Sequence, residues 1–302
     1  MKNLKQYLSD LEVDVGLGLT CLALAHAVKE IAEVIRRDRG EKAGTKNIYG
    51  EEQVQMDVQS NQIVLEKLEA TGVVGLVASE EMEDELKMPL GSYAVAHDPL
   101  DGSSLVDVNL AVGSIFGIYQ TETLYGVKGD DQVGALLGVY GPKTAIFLTV
   151  RQGVAYFVLD EQGDFILDRD HLKIAEEAKM FAPGNLRACS EREDYLALLD
   201  HWAKSKYKLR YSGGMVPDVG QILLKGGGIF SYPGYGTEPD GKLRLLMECA
   251  PMALIAEQAG GAATDGKMRI LEKKVDILER RTPIFIGSKA EVALCEKFLS
   301  GN

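Results

Sequence analysis

The segment Asp98-Pro-Leu-Asp-Gly-Ser-Ser104 constrains the fold and chemistry of this chain more than any other segment. The apolar residues 93–96 before it predict a β-strand, and because Pro99 cannot donate a hydrogen bond to a sheet, we expect the chain to turn there. Asp101 follows the first aspartate by three residues, so both carboxylates can face one centre. The glycine permits close backbone approach, and the serines supply N–H and O–H donors. The segment therefore predicts a magnesium ion beside a phosphate, and a capped turn with solvated aspartates is the alternative.

A second acidic pair precedes this segment. Glu80 and Glu81 come directly after another short apolar run, residues 73–77, so two neighbouring strands are expected to end in carboxylates. Four acids at two strand ends repel one another unless cations lie between them, and metals spaced about 3.5–4 Å apart are typical of phosphoryl transfer. The alternative is the start of an exposed acidic loop, because residues 83–85 are also acidic.

These two segments together resemble the class I fructose-1,6-bisphosphatases, within the wider magnesium-dependent, lithium-sensitive phosphatases. The resemblance continues through four further segments: Val112-Gly-Ser-Ile-Phe-Gly-Ile-Tyr119, Arg210-Tyr-Ser-Gly-Gly-Met215, Gly227-Gly-Ile-Phe-Ser-Tyr-Pro233 and Lys242-Leu-Arg-Leu-Leu-Met-Glu248. Three other segments look more like the plastid sedoheptulose-1,7-bisphosphatases: residues 129–133, 182–187 and 209–219. The resemblance spans nearly the whole chain.

The expected fold is a layered α/β/α/β/α sandwich of two domains. Residues 1–182 would form the metal-binding catalytic domain, and residues 183–302 the sugar-phosphate-binding domain. Apolar periodicity predicts helices over residues 19–37, 54–70, 193–204, 215–225 and 243–256, with Val58 facing inward in the second of them. Runs of β-forming residues predict strands over residues 112–119, 134–138, 143–150, 154–159, 208–211, 226–232, 262–264 and 283–287.

The resemblance also implies a role for individual residues. Magnesium, or manganese as an alternative, would be held by Glu80, Asp98, the Leu100 carbonyl, Asp101 and Glu248, with Glu51 near a further metal. Glu81 and Asp57 would orient and deprotonate the attacking water. The C1 phosphate, the sugar and the distal phosphate would be bound by Asp101, Gly102, Ser103, Ser104, Asn185, Arg187, Arg210, Tyr211, Met215, Tyr232 and Lys242.

Three of these acids have plainer interpretations from their spacing alone. Glu51 and Asp57 are equally explained as acids near the first turn of a helix, where they interact favourably with the helix dipole. Glu248 lies within the apolar stripe of residues 243–256. Such a carboxylate either pairs with Arg244 one turn earlier or is held by a cation.

Composition narrows the possible partners and location. A net charge of −12 argues against a nucleic-acid partner, and no apolar run approaches about 20 residues, so no membrane segment is expected. The four scattered cysteines predict reduced thiols rather than a zinc site or disulfides, and the cytoplasm is the default location. His97 is interpreted as a packing residue or a support for the neighbouring metal ligand.

Two functional alternatives remain at this stage. An inositol-type monophosphatase of the same superfamily would carry a Trp-Asp motif in the second half, whereas the single tryptophan, Trp202, is followed by alanine. A non-catalytic sugar-phosphate-binding protein would be expected to have lost metal ligands, and here each acid of the family has a counterpart.

The resemblance implies two further properties. The first is a homotetramer built of dimers, in which Arg210 reaches the neighbouring subunit's site. The second is the absence of the AMP site of the animal enzymes. Their phosphate-binding turn, lysine and arginine correspond here to residues 14–18, Ser92 and Gln120, and only Tyr93 of the usual contacts remains.

Overall fold

The computed structural model describes residues 2–37, 42–46 and 52–300. The helices are α1 (Leu4–Asp10), α2 (Val15–Arg37), α3 (Gln55–Glu69), α4 (Glu193–Lys204), α5 (Met215–Lys225), α6 (Ala250–Gln258) and α7 (Lys289–Leu299). The strands are β1 (Lys42–Lys46), β2 (Glu52–Val54), β3 (Val74–Ser79), β4 (Leu86–Lys87), β5 (Tyr93–Asp101), β6 (Val112–Tyr119), β7 (Gln132–Tyr140), β8 (Thr144–Thr149), β9 (Ala155–Leu159), β10 (Phe165–Arg169), β11 (Met180–Pro183), β12 (Lys208–Leu209), β13 (Ile229–Tyr232), β14 (Ala262–Thr264) and β15 (Ile284–Gly287).

Two mixed sheets organise these strands. The larger has eight strands in the order β10-β9-β8-β7-β6-β5-β3-β4, and only its β3–β5 pair is parallel. The smaller has five strands in the order β12-β11-β13-β15-β14, with β11 parallel to both of its neighbours. Strands β1 and β2 pair separately. Parallel neighbours end at the same sheet edge, which is what brings the ends of β3 and β5 together.

The sheets and helices alternate as five layers. Helices α1, α2 and α3 share a core with one face of the large sheet. The other face packs on α5 and α6, whose far side meets the small sheet. The opposite face of the small sheet, which includes Phe181, Ile229 and Phe285, packs on α4 and α7. This is the α/β/α/β/α sandwich expected from the sequence, and that prediction is confirmed.

Three local predictions were wrong, each because packing overrides local propensity. Strand β5 continues through Pro99 to Asp101, because a register shift between Asp98 and Asp101 accommodates the missing amide donor. The helix predicted over residues 243–256 begins instead with a π-helical turn, Leu245–Cys249, before α6. In α3, Val58 was expected to point inward but is exposed, and Met56 is buried.

Helix α2 is long and apolar enough to cross a membrane by length and composition alone, contrary to the sequence-based expectation that no such run exists. Half of its most apolar window is buried inside the protein. Leu24, Val28 and Ile31 are fully buried on one face, as the apolar stripe predicts, and they belong to the core of the large sheet. Its hydrophobicity is therefore accounted for by burial against the sheet.

The four cysteines are free. Cys21, Cys249 and Cys295 are buried, and Cys189 is partly exposed. Burial raises the pKa of each of the three enclosed thiols, so they remain protonated and behave as small apolar side chains.

Asp265 contributes a pH-dependent interaction to the second half of the fold. Its carboxylate pairs with Lys273 and accepts the amide N–H groups of Lys267 at 2.9 Å and Met268 at 2.8 Å. Burial by itself would raise the pKa of Asp265, but these hydrogen bonds outweigh it and the pKa lies below its usual value. The ionised form is therefore favoured by folding.

We expect Asp265→Asn to lower the free energy of unfolding by about 1 kcal/mol at neutral pH. The unfolded carboxyl has a pKa of about 3.9 and the folded one is lower, so the wild-type advantage is present above about pH 4 and disappears as pH falls through the folded value. Urea denaturation of both proteins near pH 7 and near pH 3 measures this. The exposed substitution Asp200→Asn is the control, and an advantage that persists unchanged at low pH would contradict the prediction.

Candidate active site

The parallel pair β3–β5 places the first two acids side by side. Ser79 at the end of β3 lies opposite His97, and the Glu80 amide donates to the His97 carbonyl at 3.0 Å. Glu80 is thus fixed next to Asp98 at the same sheet edge. His97 itself is fully buried, and its Nε2 lies 3.0 Å from Asn61 Oδ1 of α3. This is the packing role expected for His97, and it also ties α3 to β5.

The Asp98–Ser104 segment curves around the same edge. The Leu100 amide donates to Asp98 Oδ1 at 2.9 Å, and the Ser114 hydroxyl donates to the Pro99 carbonyl at 2.7 Å. Gly102 has a φ of 78°, a left-handed conformation that favours glycine, and a short 3-10 turn, Ser103–Leu105, follows. The left-handed residue turns the chain back so that the backbone after Asp101 borders the acids.

Glu248 reaches this site from the second half of the chain. It lies in the π-helical turn, where the Cys249 amide donates to the Arg244 carbonyl five residues earlier, at 3.0 Å. A π-turn inserts one residue into a helix and rotates the side chains that follow, and such turns are frequent at functional sites. The Arg244 amide donates to Glu248 Oε2, and Glu248 is only 4% exposed.

Three buried carboxylates form the centre of the site. One oxygen from each of Asp98, Asp101 and Glu248 can be chosen so that all lie within 4.8 Å of one another. Burial, together with the charge of Glu80, raises the pKa of Asp98 and of Glu248, and burial raises that of Asp101. Hard anionic oxygens at this spacing are ligands for a divalent cation, which would remove their repulsion. The donor set therefore fits a metal ion.

Arg244 is the main feature of the site that the sequence pattern did not reveal. It is 2% exposed, forms an ion pair with Glu80, and its Nη1 lies 4.0 Å from Glu248. The sequence suggested Arg244 and a cation as alternative partners of Glu248, whereas in the structure Arg244 also binds an acid 164 residues away. The available signal was an arginine inside an otherwise apolar run, since buried arginines are almost always paired.

The acids face a cavity of about 370 Å³ between the two sheets. The cavity is lined by Asp57, Glu80, Glu81, Asp98, Leu100, Asp101, Gly102, Ser103, Ser104, Tyr211, Gly213, Met215, Phe230, Tyr232, Lys242, Leu243, Arg244 and Glu248. It thus brings together most of the candidate residues from both halves of the chain. A larger cavity of about 790 Å³ borders α2 and β7, but of the described residues that line it only Asp107 is acidic.

Four candidate residues are not among those lining the smaller cavity. Glu51 lies outside the described residues. The Asn185 amide group donates to the Pro233 carbonyl at 2.7 Å, which directs it toward its own loop. Arg187 lies close enough to Tyr232 for its charge to oppose the increase in the tyrosine's pKa. Arg210 is exposed, and its backbone amide donates to the Phe181 carbonyl at 2.9 Å beside β12.

This combination of a layered α/β fold, a buried acidic centre and a neighbouring serine-rich turn defines a metal-dependent phosphatase. The sequence models of the fructose-1-6-bisphosphatase N-terminal and C-terminal domains match residues 5–170 and 174–300. The chain therefore belongs to the fructose-1,6-bisphosphatase family, as the sequence motifs indicated.

Individual relatives agree with this assignment. The class 1 fructose-1,6-bisphosphatase of Trichlorobacter lovleyi is 44% identical, over 98% of this chain and 95% of that protein. The chloroplastic sedoheptulose-1,7-bisphosphatase of Triticum aestivum is 39% identical, over 99% of this chain and 77% of that protein. The crystal structure of holo Leishmania major fructose-1,6-bisphosphatase superposes with a TM-score of 0.94 at 36% identity, covering 99% of each chain.

The start of helix α2 bears on regulation. Asp14 Oδ1 accepts the amides of Gly16 at 2.9 Å and Leu17 at 3.2 Å, and the Tyr93 hydroxyl at 2.5 Å. The hydrogen bond from Tyr93, followed by that from Leu17, lowers the pKa of Asp14, so the carboxylate stays ionised. The chain's own anion therefore occupies the amide donors that an incoming phosphate would need at this helix end.

We expect AMP at millimolar concentration not to inhibit phosphate release. Losing two charged hydrogen bonds, at about 1.5–3 kcal/mol each, weakens binding by at least about a hundredfold relative to a site that has them, and Asp14 adds repulsion. Titrating AMP into the enzyme assay tests this, and inhibition at micromolar AMP would refute it. As a positive comparison, the triple variant Asp14→Thr, Ser92→Lys, Gln120→Arg should become more sensitive to AMP than the wild type.

Proposed function

We propose that this protein hydrolyses the C1 phosphate of fructose 1,6-bisphosphate and also accepts sedoheptulose 1,7-bisphosphate. The observation that carries the proposal is the clustering of Asp98, Asp101 and Glu248 in a cavity that is also lined by Lys242, Ser103 and Ser104. Acids that can hold a cation, together with Lys242, would supply positive charge for a substrate that carries two phosphates. The names of the relatives from both subfamilies support the same substrate class.

The proposed metal ligands are the carboxylates of Glu80, Asp98, Asp101 and Glu248 and the carbonyl of Leu100, with Mg²⁺ as the ion and Mn²⁺ as the alternative. A bound divalent ion would neutralise charge on the phosphate and on the leaving oxygen. The protein's contribution is to hold the ligands ready: Asp98 by the Leu100 amide, Glu248 by the Arg244 amide. Glu51, the remaining proposed ligand, lies outside the described residues.

Two further acids are proposed to handle the attacking water. Glu81 follows Glu80 at the end of β3, and its amide donates to the Ser79 hydroxyl at 3.2 Å. Asp57 lies in the first turn of α3, is buried, and lines the same cavity. A carboxylate in this position orients water and accepts its proton as the oxygen attacks phosphorus.

The rest of the cavity is proposed to bind the phosphates and the sugar. The amides and hydroxyls of Gly102, Ser103 and Ser104 would donate to the C1 phosphate, beside Asp101. Tyr211, the backbone near Met215, Tyr232 and Lys242 would contact the sugar and the distal phosphate. Asn185 and Arg187 are proposed at the outer edge of the distal site, since Arg187 lies near Tyr232.

The decisive experiment measures phosphate release with and without magnesium. We expect activity on fructose 1,6-bisphosphate that requires the ion, and a fall of at least about 100-fold in kcat/KM for Asp98→Asn or Glu80→Gln, because each removes a charge that compensates the cation. Glu291→Gln, another buried acid that bonds instead to Tyr207 Oη, is the matched control. Full activity of either site variant at ordinary magnesium would overturn the ligand assignment.

The same assay compares substrates. One extra hydroxymethylene in the sugar is worth only about 1–3 kcal/mol of discrimination unless a polar wall closes the pocket, so kcat/KM for the two bisphosphates should differ by less than about 200-fold. A sugar monophosphate preferred over both bisphosphates would contradict the proposed function.

We further propose a cytoplasmic homotetramer built of dimers, in which Arg210 meets the distal phosphate in the neighbouring subunit. Its exposed position next to the edge strand β12 supports this, as does its absence from the residues that line its own subunit's cavity. An ion pair within its own chain is the alternative, although among the described ion pairs none involves Arg210.

Subunit complementation tests the proposed role of Arg210. Arg210→Ala and Asp98→Asn subunits should each have low activity, and mixed oligomers should regain part of the wild-type rate, because one intact composite site forms. Mass-verified mixed oligomers that recover no activity would show that Arg210 does not act across the interface. Mixed oligomers of Asp98→Asn with Glu80→Gln are the control, since both changes lie in the same half-site.

A further inference from the structure

Asp218 is a fully buried carboxylate that the proposed mechanism does not use. It lies in the first turn of α5 with no solvent exposure, and its two oxygens accept the Ser212 amide at 2.9 and 3.1 Å. Gln221, one turn further along, donates to Asp218 Oδ1 at 3.1 Å and to the Arg210 carbonyl at 3.4 Å. The carboxylate therefore accepts hydrogen bonds from the segment that precedes the helix.

The other end of that entering segment is fixed to the acidic centre. The Val216 amide, in the first turn of α5, donates to Asp101 Oδ2 at 2.9 Å. Val216 also packs directly on Gly113 of β6, where an added Cβ would lie 2.3 Å from Val216 Cγ1. The start of α5 thus cannot shift along the sheet without losing a contact to Asp101.

Between these two attachments lies a short loop that borders the cavity. Gly213 and Met215 line the cavity, as does Tyr211, which comes just before Ser212. Gly213 has a φ of 104°, a left-handed conformation that other residues rarely adopt, so the loop has few ways to reach both attachment points. The position of this wall is therefore set by Asp218 on one side and by Asp101 on the other.

We infer that Asp218 is a positioning residue that holds the loop 211–215 against the sugar and distal phosphate. It does not line the cavity, and its hydrogen bonds reach the loop through the Ser212 backbone and Gln221. The inference rests on the proposed function, because the loop borders the half of the cavity assigned to the distal end of the substrate. Asp218 would therefore contribute to substrate affinity at that end, and would not take part in holding the metal or orienting the attacking water.

A carboxylate suits this position better than its amide. In these contacts Asp218 accepts hydrogen bonds from two N–H donors. The Ser212 amide bonds both carboxylate oxygens, and the Gln221 side chain bonds Oδ1. An asparagine would place its own N–H₂ against one of them, and a buried donor facing another donor is unsatisfied. Asp218→Asn should therefore loosen the loop without changing the volume of the side chain.

The test compares Asp218→Asn with the wild type on two substrates that share the reacting phosphate. On fructose 1,6-bisphosphate we expect KM to rise about tenfold with kcat changed less than about threefold, because a misplaced binding loop mainly weakens ground-state and transition-state binding alike. On fructose 1-phosphate, which keeps the sugar but lacks the distal phosphate, kcat/KM should fall by a clearly smaller factor than on the bisphosphate. The magnesium activation constant should stay the same.

Binding of the product provides a readout independent of turnover. Asp218→Asn should weaken binding of fructose 6-phosphate about tenfold by calorimetry, while inorganic phosphate binds as before. Glu291→Gln, also a buried acid in the first turn of a helix, is the matched control and should leave both affinities unchanged. If Asp218→Asn does not fold, Gln221→Leu removes one of the same contacts and should give the same pattern with a smaller rise in KM.

Three outcomes would overturn the inference: equal losses on both substrates, a fall in kcat with KM unchanged, or an altered magnesium activation constant. The last would mean that Asp218 acts through Asp101. A wild-type protein that releases no phosphate from either substrate would instead contradict the proposed function, so the two failures are distinguishable.

Discussion

The repulsion among buried carboxylates is the constraint on which the site depends. Asp98, Asp101 and Glu248 are buried side chains held close together, where like charges interact more strongly than they do in bulk water. The fold partly compensates this negative charge with groups from several elements. Backbone amides donate to each of the three acids, and the Arg244 guanidinium lies between Glu80 and Glu248. The remaining negative charge is what makes the centre selective for a cation.

The groups that compensate the acids also belong to elements that hold the two sheets together. The Val216 amide that reaches Asp101 belongs to the first turn of α5, whose positive dipole end points toward the acid. That helix separates the two sheets, and it contacts β6 and β7 on one side and β13 and β15 on the other. The π-helical turn has a similar double role, because it carries Glu248 and leads into the buried helix α6.

Sequence reasoning identified the layered fold and, as candidates, most residues that line the cavity, because strand-end acids and the Gly-Ser-Ser turn are local features. It failed for features that depend on contacts between residues far apart in the sequence. Pro99 remains in its strand because a register shift removes the need for an amide donor at that position, and nothing in the local sequence specifies that shift. Arg244 was considered only with Glu248, since its contact with Glu80 depends on how the two halves pack. The burial of Asp218 likewise became visible only in three dimensions.

The acidic centre joins two parts of the chain that are otherwise far apart in sequence. Asp98 and Asp101 come from the large sheet, whereas Glu248 comes from the turn before α6, and a single ion held by all three, as proposed, would act as a cross-link. Any opening that separates the two sheets would then have to break that coordination, so a bound ion would raise the free energy of unfolding as its concentration increases. The coordination that the proposed chemistry requires would thus also hold the two halves of the chain together.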